Sequence, residues 1–444
     1  MGTKTVGGTT SDVLVHIAAM AVILILAGCG RAAEQPVQDS EPVTLRLGVP
    51  FQSSDADPLL VQAIERFEQE NPRINVEIQI ASRIPTIFLE PEMIEGLQLD
   101  AVLWSPDPGL ILREQPLVLN LEPLIGNEEG FGEQDFLPHT LDAFRWRGQR
   151  YGIPASVETV LMYYNRDLFD AQGVAYPHSD WNWEDLVSTA QQLTTVRTST
   201  SVGEGEQQSG HWGFVAHHYT GEVFLFVWQH GGRLLDDPLK PTHPVFDDPL
   251  VPEAIQWYAD LGLVHHVMPI VLSDKVDALS RFPVDTFALQ RSAMLMDGTA
   301  VRGGDIIPWD FAWGAVPLPR DQARASSLFV QGYFVMARSE HPQEAWALVR
   351  SLSKSESEAA SLIPARRAVA ESAAFRQRVG TEVAEAALST LEGDTLLWVI
   401  DQRFSDWVVG FVTQTYSVAH GDITADVMMD RLRDQFGNFS VEQP

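Results

Sequence analysis

The chain has 444 residues, more than one hydrophobic core ordinarily serves, so two lobes are the first expectation. With 60 acidic against 30 basic residues the formal net charge is −30; such a surface repels phosphate backbones and anionic head groups, which argues against a nucleic-acid partner. The 45% hydrophobic content is that of a globular protein, and 12 Trp residues supply the kind of flat aromatic surface that stacks on flat ligands.

In chain order, Val13 to Ala27 comes first, an apolar run interrupted only by His16 and ending Leu26-Ala27-Gly28-Cys29. It resembles a bacterial lipoprotein signal peptide with its lipobox. Small residues precede the chain's single cysteine, whose thiol would receive the lipid. An uncleaved transmembrane helix is the alternative, but the run is short for a ~30 Å hydrocarbon core. Residues 1–28 are therefore expected to be a signal peptide and 29–41 a tether. The mature chain would begin at Cys29, lipid-anchored on the extracytoplasmic face of the membrane.

Val43, Leu45, Leu47 and Val49 alternate as a strand with one buried face does. Asp57-Pro58 supplies a helix start, Leu60, Ala63, Ile64 and Phe67 follow at helical spacing, and Asn71-Pro72 stops the helix. Ile74, Val76, Ile78 and Ile80 alternate again, and Asp100 to Trp104 reads as a short buried strand. This succession predicts a parallel sheet of βαβ units, in which ligands bind at the carboxyl ends of strands. The loops Pro50 to Asp57 and Ser105 to Gly109 matter on that ground. Further on, the pattern predicts a helix begun at Asn182, an exposed loop over Arg197 to Gly210, and a helix over Pro252 to Leu261. Strands are expected at Trp313 to Val316 and Gly332 to Ala337, a helix around Ala345 to Leu352, and a wholly helical chain after Ala368.

The order of landmarks looks like the extracellular solute-binding protein family 1, over roughly residues 43 to 370. Phe67-Glu68 with Asn71-Pro72 is similar to the family's first helix-to-strand passage. Tyr151-Gly152-Ile153-Pro154 and Leu161-Met162-Tyr163-Tyr164-Asn165-Arg166-Asp167-Leu168-Phe169 form its most recognisable stretch. Trp181 to Leu186, Gly210 to Phe214, Trp228 to Gly232, Ala293-Met294 to Gly298, Gly314 to Pro319 and Pro364-Ala365-Arg366 follow in the family's order. Leu99, Pro85, Pro91 and Arg291-Ser292 depart from the family's pattern. Thr299-Ala300 stands where maltose-binding members carry Trp, so maltose itself is not implied.

The resemblance implies an α/β, two-lobed periplasmic-binding-protein-like (type II) fold with a hinge and an inter-lobe ligand cleft. The first lobe would take residues 42–155 with a return over 313–356, the second 156–312 and the helices of 357–444. It also implies a monomer that captures a small solute, a sugar, and delivers it to the permease subunits of an ABC importer. Sugar receptors need aromatic planes for C–H faces and carboxylates, amides or Arg for hydroxyls. Trp104 and Asp107 match both the strand-end position and the family's sugar-contacting Trp and Asp; the competing reading packs Trp104 under a Pro-containing turn. Glu158 matches a sugar-contacting Glu, against the alternative of solvated surface. Tyr219 and Trp228 lie where relatives place stacking aromatics, although Trp228 also suits a core. Asp297 and Gly298 end a strand-like run. Arg366 could donate to hydroxyls or form a hinge ion pair. Trp309 and Trp398 suit a core better than a ligand, and Trp183 reads as structural.

Enzyme signatures are absent: no Gly-x-Ser-x-Gly, no His-Glu-x-x-His, no phosphate loop. His217-His218 with Glu222, and His265-His266, make weak metal sites, so neither metal nor cofactor is expected. A lipid-anchored glycoside hydrolase and a binder of cationic solutes such as polyamines remain as alternatives.

Overall fold

The computed structural model describes Gly2 and residues 42–50, 58–81, 97–105, 116–126, 131–196, 201–202, 210–216, 222–237, 241–271, 276–304, 307–355, 362–392, 396–397 and 404–441. All elements named below lie in Val43–Pro444, a unit distinct from Met1–Pro42. Cys29 and the tether fall outside the described residues, as do Pro85, Pro91 and the loops at 51–57 and 106–109.

The first alternating run is β1 (Val43–Pro50). It pairs in parallel with β2 (Ile74–Ala81) and with β3 (Ala101–Trp104), as βαβ units require. Between β1 and β2, helix α1 (Pro58–Glu70) buries Leu60, Ala63, Ile64 and Phe67 along one stripe. Burying Leu60, Ile64 and Phe67 is worth roughly 1.5–3 kcal/mol each before entropy is counted. Asn71 ends the helix by returning both its backbone N–H and its Nδ2 to the Phe67 carbonyl, at 2.9 and 2.8 Å.

A hairpin of β4 (Arg145–Trp146) and β5 (Gln149–Arg150) follows, turned by Arg147 and Gly148 at φ 49° and 75°. Two consecutive left-handed residues match the natural strand twist.

The strand β6 (Gly152–Asn165) is 14 residues long, roughly 45 Å at 3.3 Å per residue. It was not separable from its sequence by alternation, because both of its faces are buried. Asn165 caps α2 (Arg166–Gln172), its Oδ1 accepting Leu168 N–H at 3.1 Å. Asn182 caps α3 (Trp183–Leu193) in a reciprocal capping box with Asp185, both bonds 3.0 Å. Next come β7 (Ser201–Val202), α4 (Glu222–Gln229), α5 (Leu250–Leu263) and β8 (Ile270–Val271), with β7 and β8 paired. The expected loop over Arg197–Gly210 thus holds a short strand. Helix α6 (Val276–Ala288) leads into β9 (Met294–Gly298) and β10 (Trp313–Val316). After them lie β11 (Ser327–Val335), α7 (Pro342–Leu352), β12 (Ile363–Pro364) and α8 (Thr381–Leu391). The chain closes with β13 (Leu396–Leu397), α9 (Ser405–Ala419) and α10 (Ala425–Phe436). The strand expected at Gly332 starts earlier, at Ser327, and β13 interrupts the expected all-helical C-terminal region by pairing with β11.

The pairing partners of β6 change along its length. Gly152 to Thr159 pair with β11, which continues through β3 to β1 and β2. Val160 to Asn165 pair with β9 on one side and β10 on the other. One strand therefore belongs to two ladders. β10 pairs with the second half of β6, and β11 with the first half.

The interior divides accordingly. One cluster fills the β1–β3–β11 sheet and continues along Val157, Leu161 and Tyr163 of β6. A second takes Val160, Met162 and Tyr164 on the opposite face, packed by α3, α4, α5, α9 and α10. The connection from β10 to β11 is fastened to this second body. Trp181 Nε1 donates to Pro317 O at 2.9 Å, and Ser326 Oγ donates to Val160 O at 3.0 Å. Fully buried Gln229 joins the two, accepting from Trp183 Nε1 at 2.8 Å and donating to Ala325 O at 2.9 Å. Gln229→Leu would strand an indole N–H and a carbonyl. Urea denaturation should show a loss of about 2–4 kcal/mol, and an unchanged midpoint would contradict this role.

Candidate functional site

Of the 14 residues of β6, Glu158 alone is not fully buried. It stands one residue before the strand changes ladders, directly opposite Phe329 on β11. Alternation puts Ser156, Glu158 and Val160 on one face of β6. Across the ladder, Gln331 and Phe329 oppose Ser156 and Glu158 on that same face. The other face carries Val157, Leu328 and Val330, all in the first core. Past Glu158 the polar face enters the second core at Val160.

The carboxyl of Glu158 is held from β9. Gly298 pairs with Val160, and a Cβ there would lie 2.2 Å from Glu158 Oε1, so only glycine lets the acid lie against the strand end. Ala300 N–H donates to Oε1 at 3.2 Å, while Oε2 has no hydrogen-bond partner among the described residues. Burial raises the Glu158 pKa from 4.5 to about 7; the Ala300 N–H opposes the shift and the charge of Asp297 adds to it. Asp297 itself pairs opposite Leu161, which puts it on the face turned away from Glu158. It is buried, and its Oδ1 accepts Gly298 N–H at 2.7 Å. Tyr163 on that face donates to Gly298 O at 3.2 Å and packs against Trp309 at 5.1 Å.

The remaining sequence-derived residues separate. Trp104 ends β3, pairs with Gly332 and is 7% exposed in the first core, the packing environment of its alternative reading. Removing it would therefore also cost core packing. Trp228 on α4 is half-buried and tilted against Phe224 at 6.2 Å, beside the second core. Trp183 is structural as read: its ring stacks on Trp257 at 3.9 Å. Trp309 lies in an aromatic core group with Phe287 and Trp313. Asp107, Tyr219, His217, His218 and Trp398 lie outside the described residues.

Arg366 makes the ion pair of its alternative reading, with Asp135. Its Nε donates to Ser353 O at 3.1 Å, one terminal nitrogen to Asp135 at 3.3 Å, and the other to Phe131 O at 3.4 Å. The guanidinium also lies 4.1 Å from the Phe136 ring centroid. Burial lowers its pKa and Asp135 opposes this. Each of its three nitrogens thus makes at least one internal hydrogen bond.

Sequence reasoning missed Phe329, Ser156, Gln331 and the Ala300 amide. Phe329 is 38% exposed between buried Leu328 and Val330. A Phe in an apolar run reads as core, and only its register reveals which face it takes.

The sequence profile of the bacterial extracellular solute-binding protein family matches residues 52–359, and the chain belongs to that family. Solved structures agree in fold. An ABC substrate-binding protein from Listeria monocytogenes in complex with cycloalternan superposes with a TM-score of 0.69 at 21% identity, covering 90% of this chain and 99% of that one. The sugar-binding protein MalE from Xanthomonas citri gives 0.69 at 18% identity, covering 89% and 97%. Maltose-bound MalE3 from T. maritima gives 0.66 at 18%, covering 89% and 99%. The fold is thus the expected two-lobed α/β type of periplasmic binding proteins. Among the described residues no helix is long and apolar enough to cross a membrane.

Two outcomes follow. Folding ionised Glu158 is unfavourable, so its contribution is harmless below pH 4.5 and grows more destabilising as pH rises toward 7. Denaturation of Glu158→Gln across pH 4–8 should show the variant gaining on wild type over that window, by about 3 kcal/mol at the plateau. Parallel curves would refute the raised pKa. For Arg366→Met, a stability loss of about 3 kcal/mol is expected with unchanged solute affinity; weakened binding in a well-folded variant would restore it to the site.

Proposed function

We propose that this protein is the solute-capturing subunit of an ATP-driven importer. It would bind a carbohydrate at the crossover of its two sheets, present the loaded form to a membrane permease, and stay anchored outside the cytoplasmic membrane through lipid on Cys29. The observation that carries the carbohydrate reading is Glu158. A carboxyl with one oxygen unbonded among the described residues, beside an exposed aromatic ring, offers a hydroxyl acceptor and an apolar plane together. Family membership supports capture without chemistry. The structures it resembles include proteins solved with cycloalternan and with maltose. Gly298 and Glu158 would form the centre of the site, with Asp297 tuning the acid from the opposite face. The segments carrying Trp104 and Trp228 would border it. Lobe assignments follow β6: residues before Val160 with the first sheet, those after it with the second, and β11 as the return.

A glycoside hydrolase would need two carboxyl groups converging on one bond. Glu158 and Asp297 point to opposite faces of the sheet, which favours the binder. A polyamine receptor would need several ionised carboxylates facing the ligand, and the acid on this face has a pKa near neutrality.

The test is a thermal-shift screen of the protein with maltose, maltotriose, mannotriose, tagatose and spermidine, followed by chromatography of each mixture. Stabilisation by a sugar without new products is the expected result. Cleavage products, or stabilisation by spermidine alone, would overturn it.

A further inference from the structure

Three incomplete groups share one face of the β6–β11 ladder. Phe329 exposes its ring and contacts no other aromatic ring among the described residues. Opposite it, Oε2 of Glu158 has no hydrogen-bond partner among the described residues. Two residues back on the same face, Ser156 is fully buried, and its hydroxyl has no hydrogen-bond partner among the described residues. Buried hydroxyls are nearly always paired, so an unpaired one beside an open acid and an open ring asks for a missing partner. No single one of these would specify a ligand; their common face and spacing do.

We propose that Phe329, Glu158 and Ser156 form a subsite for one sugar ring, with the ring's C–H face on Phe329 and its hydroxyls bonded to Glu158 and Ser156. This deepens the carbohydrate reading above and rests on it. The geometry is set by the ladder. Directly opposed residues have Cβ atoms about 5 Å apart, and residues two apart on one strand lie about 6.6 Å apart. A pyranose is about 5 Å across, so a ring lying on Phe329 brings its edge hydroxyls within reach of Glu158 while a neighbouring hydroxyl reaches toward Ser156. Phe329 supplies no hydrogen bond, so it selects for a ring with an uninterrupted C–H face and against one whose face carries an axial hydroxyl. Glu158, being largely protonated below pH 7, can donate as well as accept, which suits a neutral hydroxylated ligand. The register also explains why a Phe tolerates exposure here. Its strand neighbours Leu328 and Val330 anchor β11 in the first core, so the ring on the other face is free to serve a ligand without loosening the sheet.

The test uses the full chain and whichever of maltose, maltotriose, mannotriose or tagatose stabilises wild type. Calorimetric titration with that sugar should show Phe329→Ala and Phe329→Leu each about tenfold weaker, with Phe329→Trp close to wild type. Leu keeps the apolar bulk and strand packing but lacks a flat ring, so equal losses for Ala and Leu point to stacking. Ser156→Ala should bind about three- to tenfold more weakly while its ligand-free melting temperature stays at the wild-type value, because its hydroxyl has no internal bond to lose. Wild-type affinity in both Phe329→Ala and Phe329→Leu would overturn the subsite and leave the carbohydrate reading standing. A wild-type protein stabilised by none of the sugars would instead overturn that reading, and the subsite with it.

Discussion

The structure depends on β6 serving two ladders at once. Its first eight residues hold the sheet that runs through β11 and β3 to β1 and β2; its last six hold β9 and β10. A strand in that position meets a hydrophobic core on each face, and every residue but one is buried. The exception falls where the ladders change over. Neither core reaches Glu158 fully, and an acid placed there is dry enough to resist ionisation. Ligand sites at the point where a sheet's connectivity switches are a general property of open α/β folds, and here the switch lies inside a single strand.

Glu158 and Arg366 differ in how far their bonding capacity is met. Both residues are ionisable and sit in the same family framework. Arg366 spends each nitrogen on Asp135, Ser353 and Phe131 and lies over the Phe136 ring. Removing such a group leaves its buried partners unsatisfied, a cost of several kcal/mol. Glu158 has one oxygen without a hydrogen-bond partner among the described residues, and Gly298 removes the side chain that would crowd it. Unmet bonding capacity marks the residue, more than its charge does.

Periodicity made the periphery legible. The alternation at Val43–Val49 and Ile74–Ile80, the stripe Leu60–Ala63–Ile64–Phe67 and the Asn182 cap all appear in the structure where their spacing puts them. The centre was not legible this way, because Ile153 to Tyr164 is buried on both faces and carries no period to read. Family resemblance supplied Glu158 and Gly298, which the fold brings together. It also proposed Asp297, which turns to the other face, and Arg366, which is an internal ion pair. Phe329 escaped notice because side-chain direction in a strand depends on register, and a one-residue difference would have sent the same ring into the core. Asp107 and Tyr219 lie outside the described residues.

The bond from Ser326 to the Val160 carbonyl has a mechanical implication. Ser326 ends the connection that Trp181 and Gln229 fasten to the second body, and it immediately precedes the strand that enters the first. Its hydroxyl also meets Thr159 at 3.0 Å, so the two chain crossings are pinned side by side at one level. Crossings pinned like this bend about a common axis and cannot slide independently. Rotation about that axis would change the tilt of the neighbouring Glu158 carboxyl more than its position, leaving the acid near a pivot where a small swing alters whom it faces.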